Sequence, residues 1–412
     1  MTLRSHHHHS RPRWHLAAIL AGLATLGPFS VDTYLPAFAG MQAALPATAL
    51  QMQQTLSAYL LAFGFMFLFH GALSDSFGRK PVIVIALVIF TLGSIGAALS
   101  TEIHWLIGFR MLQGASAGAG MVVGRAMIRD LYEQEDAQRL MSMVTLFFGL
   151  APAVAPIVGG YLYTWFGWSS IFWFLAAVSA VLVGVSQRQV VETLPEHARQ
   201  PFHAMALLRG YQEVGAHARF LLLSLAVGFN FNAFFLYIVS APVYLGERLH
   251  LQPDQYAWLF LPGITGIMFG AWISGRVAHR LKPPQTATRA YAFMVTASLA
   301  NVAYCLFFES SIPWAVIPIM FYAAGSAMAM PSISIITLDL FPTRRGMAAS
   351  LQGFVSGMIN TLTAGVISPL VSHSTLALSL AMLAMMAVGL ASWLAYLWIA
   401  KRERRHKAAP IG

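Results

Sequence analysis

The sequence predicts an all-α integral membrane protein with twelve spanning helices grouped as two six-helix bundles. Three observations predict it: the composition, the number and length of the apolar runs, and one long polar stretch near the middle. Of the 412 residues, 58% are hydrophobic and only 10% charged, and the mean hydropathy is +0.65. Soluble proteins carry roughly a quarter charged residues. Apolar runs this long and this free of charge belong in lipid, where water does not have to hydrate them.

A helix needs about 20 apolar residues to cross the hydrocarbon. Runs of that kind occur at 16–38, 51–73, 81–100, 103–125, 138–163, 168–186, 219–245, 256–278, 288–308, 312–336, 347–371 and 375–400. None shows the short alternating pattern of a barrel strand. The first run continues to Pro36 with no small-residue cleavage pattern, so it is expected to be a span rather than a signal peptide. The tract His6–His9 is expected to be a disordered terminus, since no second ligand cluster accompanies it and Cys305 is the sole cysteine.

The longest polar stretch, 187–218, divides the chain into a tail 1–15, a first bundle 16–186, a linker 187–218, a second bundle 219–400 and a basic tail 401–412. The halves echo each other. Gly71-Ala72 through Arg79-Lys80 follows the second span, and Gly270-Ala271 through Arg276 and Arg280 follows the eighth. Such an internal repeat suits a transporter with its site between the halves. With the N-terminus inside, all but Arg110 and Arg248 of the 25 lysines and arginines fall on cytoplasmic segments or helix ends. Basic residues resist translocation, so both termini are expected to be cytoplasmic. That placement also accounts for the net charge of +10; a nucleic-acid binder would gather its basic residues in a soluble module.

Charge inside the spans is the sharpest functional signal. Of the 15 acidic residues, only Asp32 lies well inside a predicted span, and Arg110 is the lone basic residue at similar depth. Each such charge costs about 2.5–3.5 kcal/mol even on lenient insertion scales. Counted from the outer ends of their spans at 1.5 Å per residue, both lie about 10 Å deep. They can meet, directly or through water, if spans one and four line one cavity. Burial disfavours a carboxylate and a neighbouring guanidinium favours it, so an Asp32 whose relation to Arg110 changes during a cycle can load and release a proton. The alternative is a static ion pair. Asp130, Glu133, Glu135 and Asp136 share a loop with Arg129 and Arg139 and are expected to form a solvated face.

The motifs resemble those of the drug:proton antiporters of the major facilitator superfamily, near its bicyclomycin/chloramphenicol-resistance branch. Gly71-Ala72-Leu73-Ser74-Asp75-Ser76-Phe77-Gly78-Arg79-Lys80 resembles the superfamily's G-x-L-x-D-R-x-G-R-K signature, with Ser76 where a basic residue is usual. Gly78 permits a tight turn, and Asp75 is suited to cap a helix or pair with an arginine. The resemblance implies a gate built on Gly71, Asp75, Gly78, Arg79 and Lys80. Leu106 to Gly118 is similar to the family's fourth-helix motif, which implies a proton-transfer role for Arg110. Phe29 to Pro36 is similar to its first-helix D-x-Y-L-P motif and implies a functional Asp32. The stretch Gly149 to Gly160, with Pro152, Pro156, Gly159 and Gly160, resembles the antiporter motif of the fifth helix, with Ala155 where glycine is commoner. Prolines there are expected to bend the span. The resemblance, rather than the spacing, implies export.

Candidate substrate contacts are the polar and aromatic residues within spans: Tyr34, Tyr59, Gln113, Asn230, Asn232 and Tyr237. Asn230 and Asn232 stand two apart, so they cannot centre on one helix face unless the helix breaks. The reading is a bacterial inner-membrane exporter of small lipophilic drugs, such as chloramphenicol- or bicyclomycin-like compounds. It would be driven by the proton gradient, without metal or other cofactor, and is expected to act as a monomer. A carrier of an amino acid or sugar on the same fold is the alternative. A membrane enzyme is not expected, because no nucleophile motif or histidine–carboxylate cluster lies inside the spans.

Overall fold

A computed structural model describes residues 14–132, 134–277 and 280–408; the side chains of 14–17, 134–135, 138–139, 142, 145–146, 148–149 and 404–408 are not among those described. Arg4, Arg11, Arg13, the His6–His9 tract and Glu133 therefore lie outside it, as do the side chains of Glu135, Arg139, Arg404, Arg405 and Lys407. The described residues are helical throughout, and eleven helices are long and apolar enough to cross a membrane. They are Ala18–Ala44, Ala49–Phe77, Arg79–Ala98, Ile103–Leu131, Ser169–Gln189, Ala218–Val239, Pro253–Val277, Pro283–Phe307, Trp314–Asp339, Arg345–Val371 and Thr375–Glu403. The helix Gln134–Phe166, whose apolar part is Leu150–Phe166, completes the twelve as the fifth span. It runs unbroken through Pro152 and Pro156.

The internal duplication is visible in the packing. In the first bundle span one lies against five, two against four, and three against four and six; in the second, seven lies against eleven, eight against ten, and nine against ten and twelve. The two largest contacts between the bundles among the described residues, span two with eleven and span five with eight, exchange under the same operation. An approximate two-fold axis therefore relates the halves.

Spans two and eleven meet backbone to backbone. A Cβ added at Gly64 would stand 2.9 Å from the Gly357 Cα, so neither position has room for a side chain. Such small-residue contacts bring helices together in lipid, where apolar burial gives little drive for association. Towards one end of this seam Gln53 donates to the Ser368 hydroxyl and the Val239 carbonyl, each at 3.4 Å, and the Ser240 and Ser368 hydroxyls share a hydrogen bond of 2.7 Å. Towards the other end, which carries Arg79 and Lys80, the Tyr211 hydroxyl donates to the Leu68 carbonyl at 2.8 Å. Tyr211 belongs to Ala204–Gly215, a short helix of the linker that buries Gly210 and Val214 near Met347 and Ala348 of span eleven. Trp105, Trp165, Trp258, Trp314 and Trp398 remain exposed on the outer surface, as interfacial aromatics do.

Candidate functional site

The first span breaks at the residue singled out in its sequence. Its helix runs from Trp14 to Asp32, then gives way to a tight 3-10 turn at Leu35–Ala37 before resuming at Phe38–Ala44. The cause is Pro36. A continuing helix would bond the Asp32 carbonyl to the N–H four residues on, but Pro36 has none, and its ring crowds that carbonyl. Asp32 is therefore held at the last helical residue. It is 4% exposed and, among the described residues, has no ion pair.

Arg110 is fully buried beside this break. Its guanidinium lies between two tyrosine rings, 4.3 Å from the Tyr34 centroid and 4.4 Å from that of Tyr59, with Phe172 of span six at 6.0 Å. One terminal nitrogen donates to Gln113 Oε1 at 2.9 Å and to the Ser30 carbonyl at 3.4 Å, while Nε and Nη2 have no hydrogen-bond partner. The cage is itself braced. Gln113 donates to Ser94 at 2.7 Å, Ser30 donates to the Tyr59 hydroxyl at 2.8 Å, and Tyr34 shares a 2.7 Å hydrogen bond with Thr55. Cation–π contacts of this kind contribute about 0.5–2 kcal/mol each when desolvated, which offsets part of the cost of the buried charge.

The direct meeting expected of Asp32 and Arg110 does not occur in this structure. No direct ion pair joins them; Arg110 instead reaches span one through the Ser30 carbonyl, and Tyr59 lies within electrostatic reach of both charges. Spans one, two, four and six thus converge on one charged chamber. Tyr34, Tyr59 and Gln113, expected as substrate contacts, form the walls of the arginine cage. Their partners Ser30, Thr55, Ser94 and Phe172 were not singled out in the sequence.

The other substrate candidates belong to the second bundle. Asn232 donates to Asn360 of span eleven at 2.7 Å, whereas the Asn230 backbone carbonyl accepts from Tyr322 of span ten at 3.1 Å. Asn230 and Asn232 both retain a buried side-chain oxygen without a partner. Tyr237 accepts from Asn301 at 2.7 Å and packs edge-on against Tyr244.

The signature loop folds as a charged clasp at the basic end. Gly78 has φ +98°, where a side chain is strained, and a Cβ there would also approach Glu192 Oε2 to 2.6 Å. Arg79 pairs with Asp75 and, at 3.2 Å, with Asp130. Asp130 is thus tied to the clasp and departs from the solvated face expected for its loop. Asp75 does not cap the third span. Glu192 of the linker does, accepting from the backbone N–H groups of Arg79 at 3.0 Å and Lys80 at 3.1 Å. A carboxylate at a helix N-terminus satisfies otherwise unpaired donors and the helix dipole together. Glu192→Ala is expected to lower stability by about 1 kcal/mol, read as an earlier thermal transition of the detergent-solubilised protein; an unchanged transition would show the cap to be dispensable.

The glycine pair of the fifth span faces both bundles. A Cβ on Gly159 would run into the carbonyl of Thr33, the residue after Asp32; one on Gly160 would stand 2.7 Å from the Pro253 carbonyl at the start of span eight. One turn of helix thus touches the break of span one and the opposite half of the molecule.

Two duplicated six-helix bundles, with a charged chamber in one and a clasped loop at the basic end, define a polytopic membrane transporter. Residues 18–359 match the model of the Major Facilitator Superfamily, and the chain belongs to that family. It is 27% identical over 349 residues to a bicyclomycin resistance protein homolog of Haemophilus influenzae, covering 84% of this chain and 87% of that protein. It is 28% identical over 356 residues to multidrug resistance protein D of Escherichia coli, covering 85% and 88% respectively. Its fold is similar to that of a bacterial homolog of the human lysosomal transporter Spinster, solved in an inward-facing and unoccupied conformation. That likeness has a TM-score of 0.72 at 14% identity, over 98% of this chain and 100% of that one.

Proposed function

We propose that the protein is a proton-coupled exporter of small lipophilic compounds, of the bicyclomycin or chloramphenicol type, acting as a monomer in a bacterial inner membrane with both termini cytoplasmic. The names of its relatives support drug efflux. The observation that carries the coupling is the half-satisfied guanidinium of Arg110, with two unpartnered nitrogens, in the chamber that holds the unpaired Asp32. A protonated Asp32 is neutral and needs no countercharge. Once it loses its proton, the carboxylate gains from moving towards the free Nε and Nη2 of Arg110, because charge-assisted hydrogen bonds are the stronger kind. Span one is already broken at that point and can carry the shift. Protonation from outside and discharge to the cytoplasm would then alternate with substrate release and capture as the bundles rock.

Asp32→Asn tests this reading, since the amide keeps the size and polarity but cannot exchange a proton. It is expected to leave expression and folding near wild type while reducing pH-gradient-driven transport in proteoliposomes to background. Transport at the wild-type rate would overturn the assignment.

A further inference from the structure

Several ionisable side chains inside the spans take no part in the chamber, the clasp or the seam between bundles, and one of them is a histidine. His70 of span two is 3% exposed. Its ring is in hydrogen-bonding contact with the Ala115 backbone of span four, and Nε2 has no partner. It lies against a second helix break. Span four is interrupted at Gly118, between Ile103–Ala117 and Ala119–Leu131, and a Cβ on Gly118 would stand 3.3 Å from the His70 ring. The imidazole therefore packs closely against the bare backbone of Gly118, whose own angles stay helical at φ −74° and ψ −18°.

Its level along the bundle is the informative feature. Tyr59, which touches Arg110, lies on the same helix about 16 Å before His70, and the helix ends at Phe77 about 10 Å after it. His70 is thus an intermediate station between the Asp32–Arg110 chamber and the basic end. Among the described residues, no charged side chain forms an ion pair with it. On span two the other ionisable residues are Tyr59 and Asp75; span four carries His104, Arg110, Arg125, Arg129 and Asp130, span one Asp32 and Tyr34, span three Arg79 and Lys80, and span eleven Arg345. Tyr211 of the linker helix reaches only the Leu68 carbonyl.

A buried polar atom without a partner costs about 1–3 kcal/mol, and a leucine would fill this space without that cost. Histidine can also take up and release a proton at its ring nitrogens, which is why it serves as a proton shuttle. Resting on the proton-coupled reading above, we infer that His70 is a proton relay on the cytoplasmic side of the chamber. The Asp32 carboxyl gives up its proton, which passes through water to the lone pair of Nε2. The resulting imidazolium returns it to water at the cytoplasmic end, leaving Asp32 ionised and His70 neutral. No bond other than those to the proton changes.

His70→Gln, which keeps a polar side chain of similar length without an acid–base function, tests the relay in proteoliposomes. Two measurements are made on the same preparation: transport driven by a pH gradient, and exchange of labelled for unlabelled drug at equal pH, which needs folded protein but no net proton release. The expected result is at least a tenfold loss of gradient-driven transport with exchange within twofold of wild type. Gradient-driven transport within twofold of wild type would overturn the relay. Equal loss of both activities would also overturn it, by showing a packing role. Asp32→Asn in the same assays separates the two ideas. If it transports normally the coupling reading itself fails, whereas a dead Asp32→Asn beside a fully active His70→Gln removes the relay alone.

Discussion

Gly159→Ala is expected to abolish transport and to reduce the amount of folded protein several-fold. The added methyl would meet the Thr33 carbonyl, a backbone atom that no rotamer change can move aside. Relief requires spans one and five to separate, and overpacking a tight contact costs about 1–3 kcal/mol. The displacement would fall on the turn after Asp32 and shift the carboxyl relative to Arg110. Size-exclusion profiles of the solubilised variant report the folded fraction, and proteoliposomes loaded with matched protein report transport. Wild-type yield and rate would mean that the two spans have slack where they touch.

Arg110→Lys is the second substitution expected to have a large effect, although it conserves charge. Lysine presents a compact ammonium in place of a plane that two rings can sandwich. It would lose the stacking on Tyr34 and Tyr59 and the fixed donor to Gln113. Export is expected to fall at least tenfold, with thermal stability lower by about 1–3 kcal/mol from the lost stacking. Arg110→Met, which fills space without a buried charge, is expected to recover stability but not transport, because replacing a buried ion with an apolar side chain is often neutral or stabilising. If the lysine variant exports normally, positive charge alone suffices and the shape of the cage is irrelevant.

Much of this was legible in the sequence because membrane spans obey a strict local rule: about 20 apolar residues, with basic residues left at one end. The spacing of Asp32 and Pro36 carried more than was drawn from it. A proline four residues after an aspartate removes the N–H that would bond the aspartate carbonyl and so favours a break or kink there, although Pro152 and Pro156 leave the helix of span five continuous. What stayed hidden depends on chain segments that meet only in three dimensions. Glu192 and Asp130 read as ordinary loop acids because Arg79 lies far from both in sequence, and nothing local says that the linker returns to cap span three. Phe172 and Ser94 sit in apolar runs like dozens of similar residues until the bundle closes around Arg110. His70 directly follows the apolar run Phe63–Phe69, and nothing local shows that span four packs against it at Gly118.

The contact of Gly64 with Gly357 has a mechanical consequence. Each glycine stands near the midpoint of its span, Ala49–Phe77 or Arg345–Val371, so the crossing is a fulcrum with arms of about 20 Å on either side at 1.5 Å per residue. A rigid tilt of about 15° around it would open one mouth by about 5 Å and shut the other by the same amount, as lengths along a straight helix require. On the proposed rocking of the bundles, a central crossing would give the two ends equal and opposite excursions.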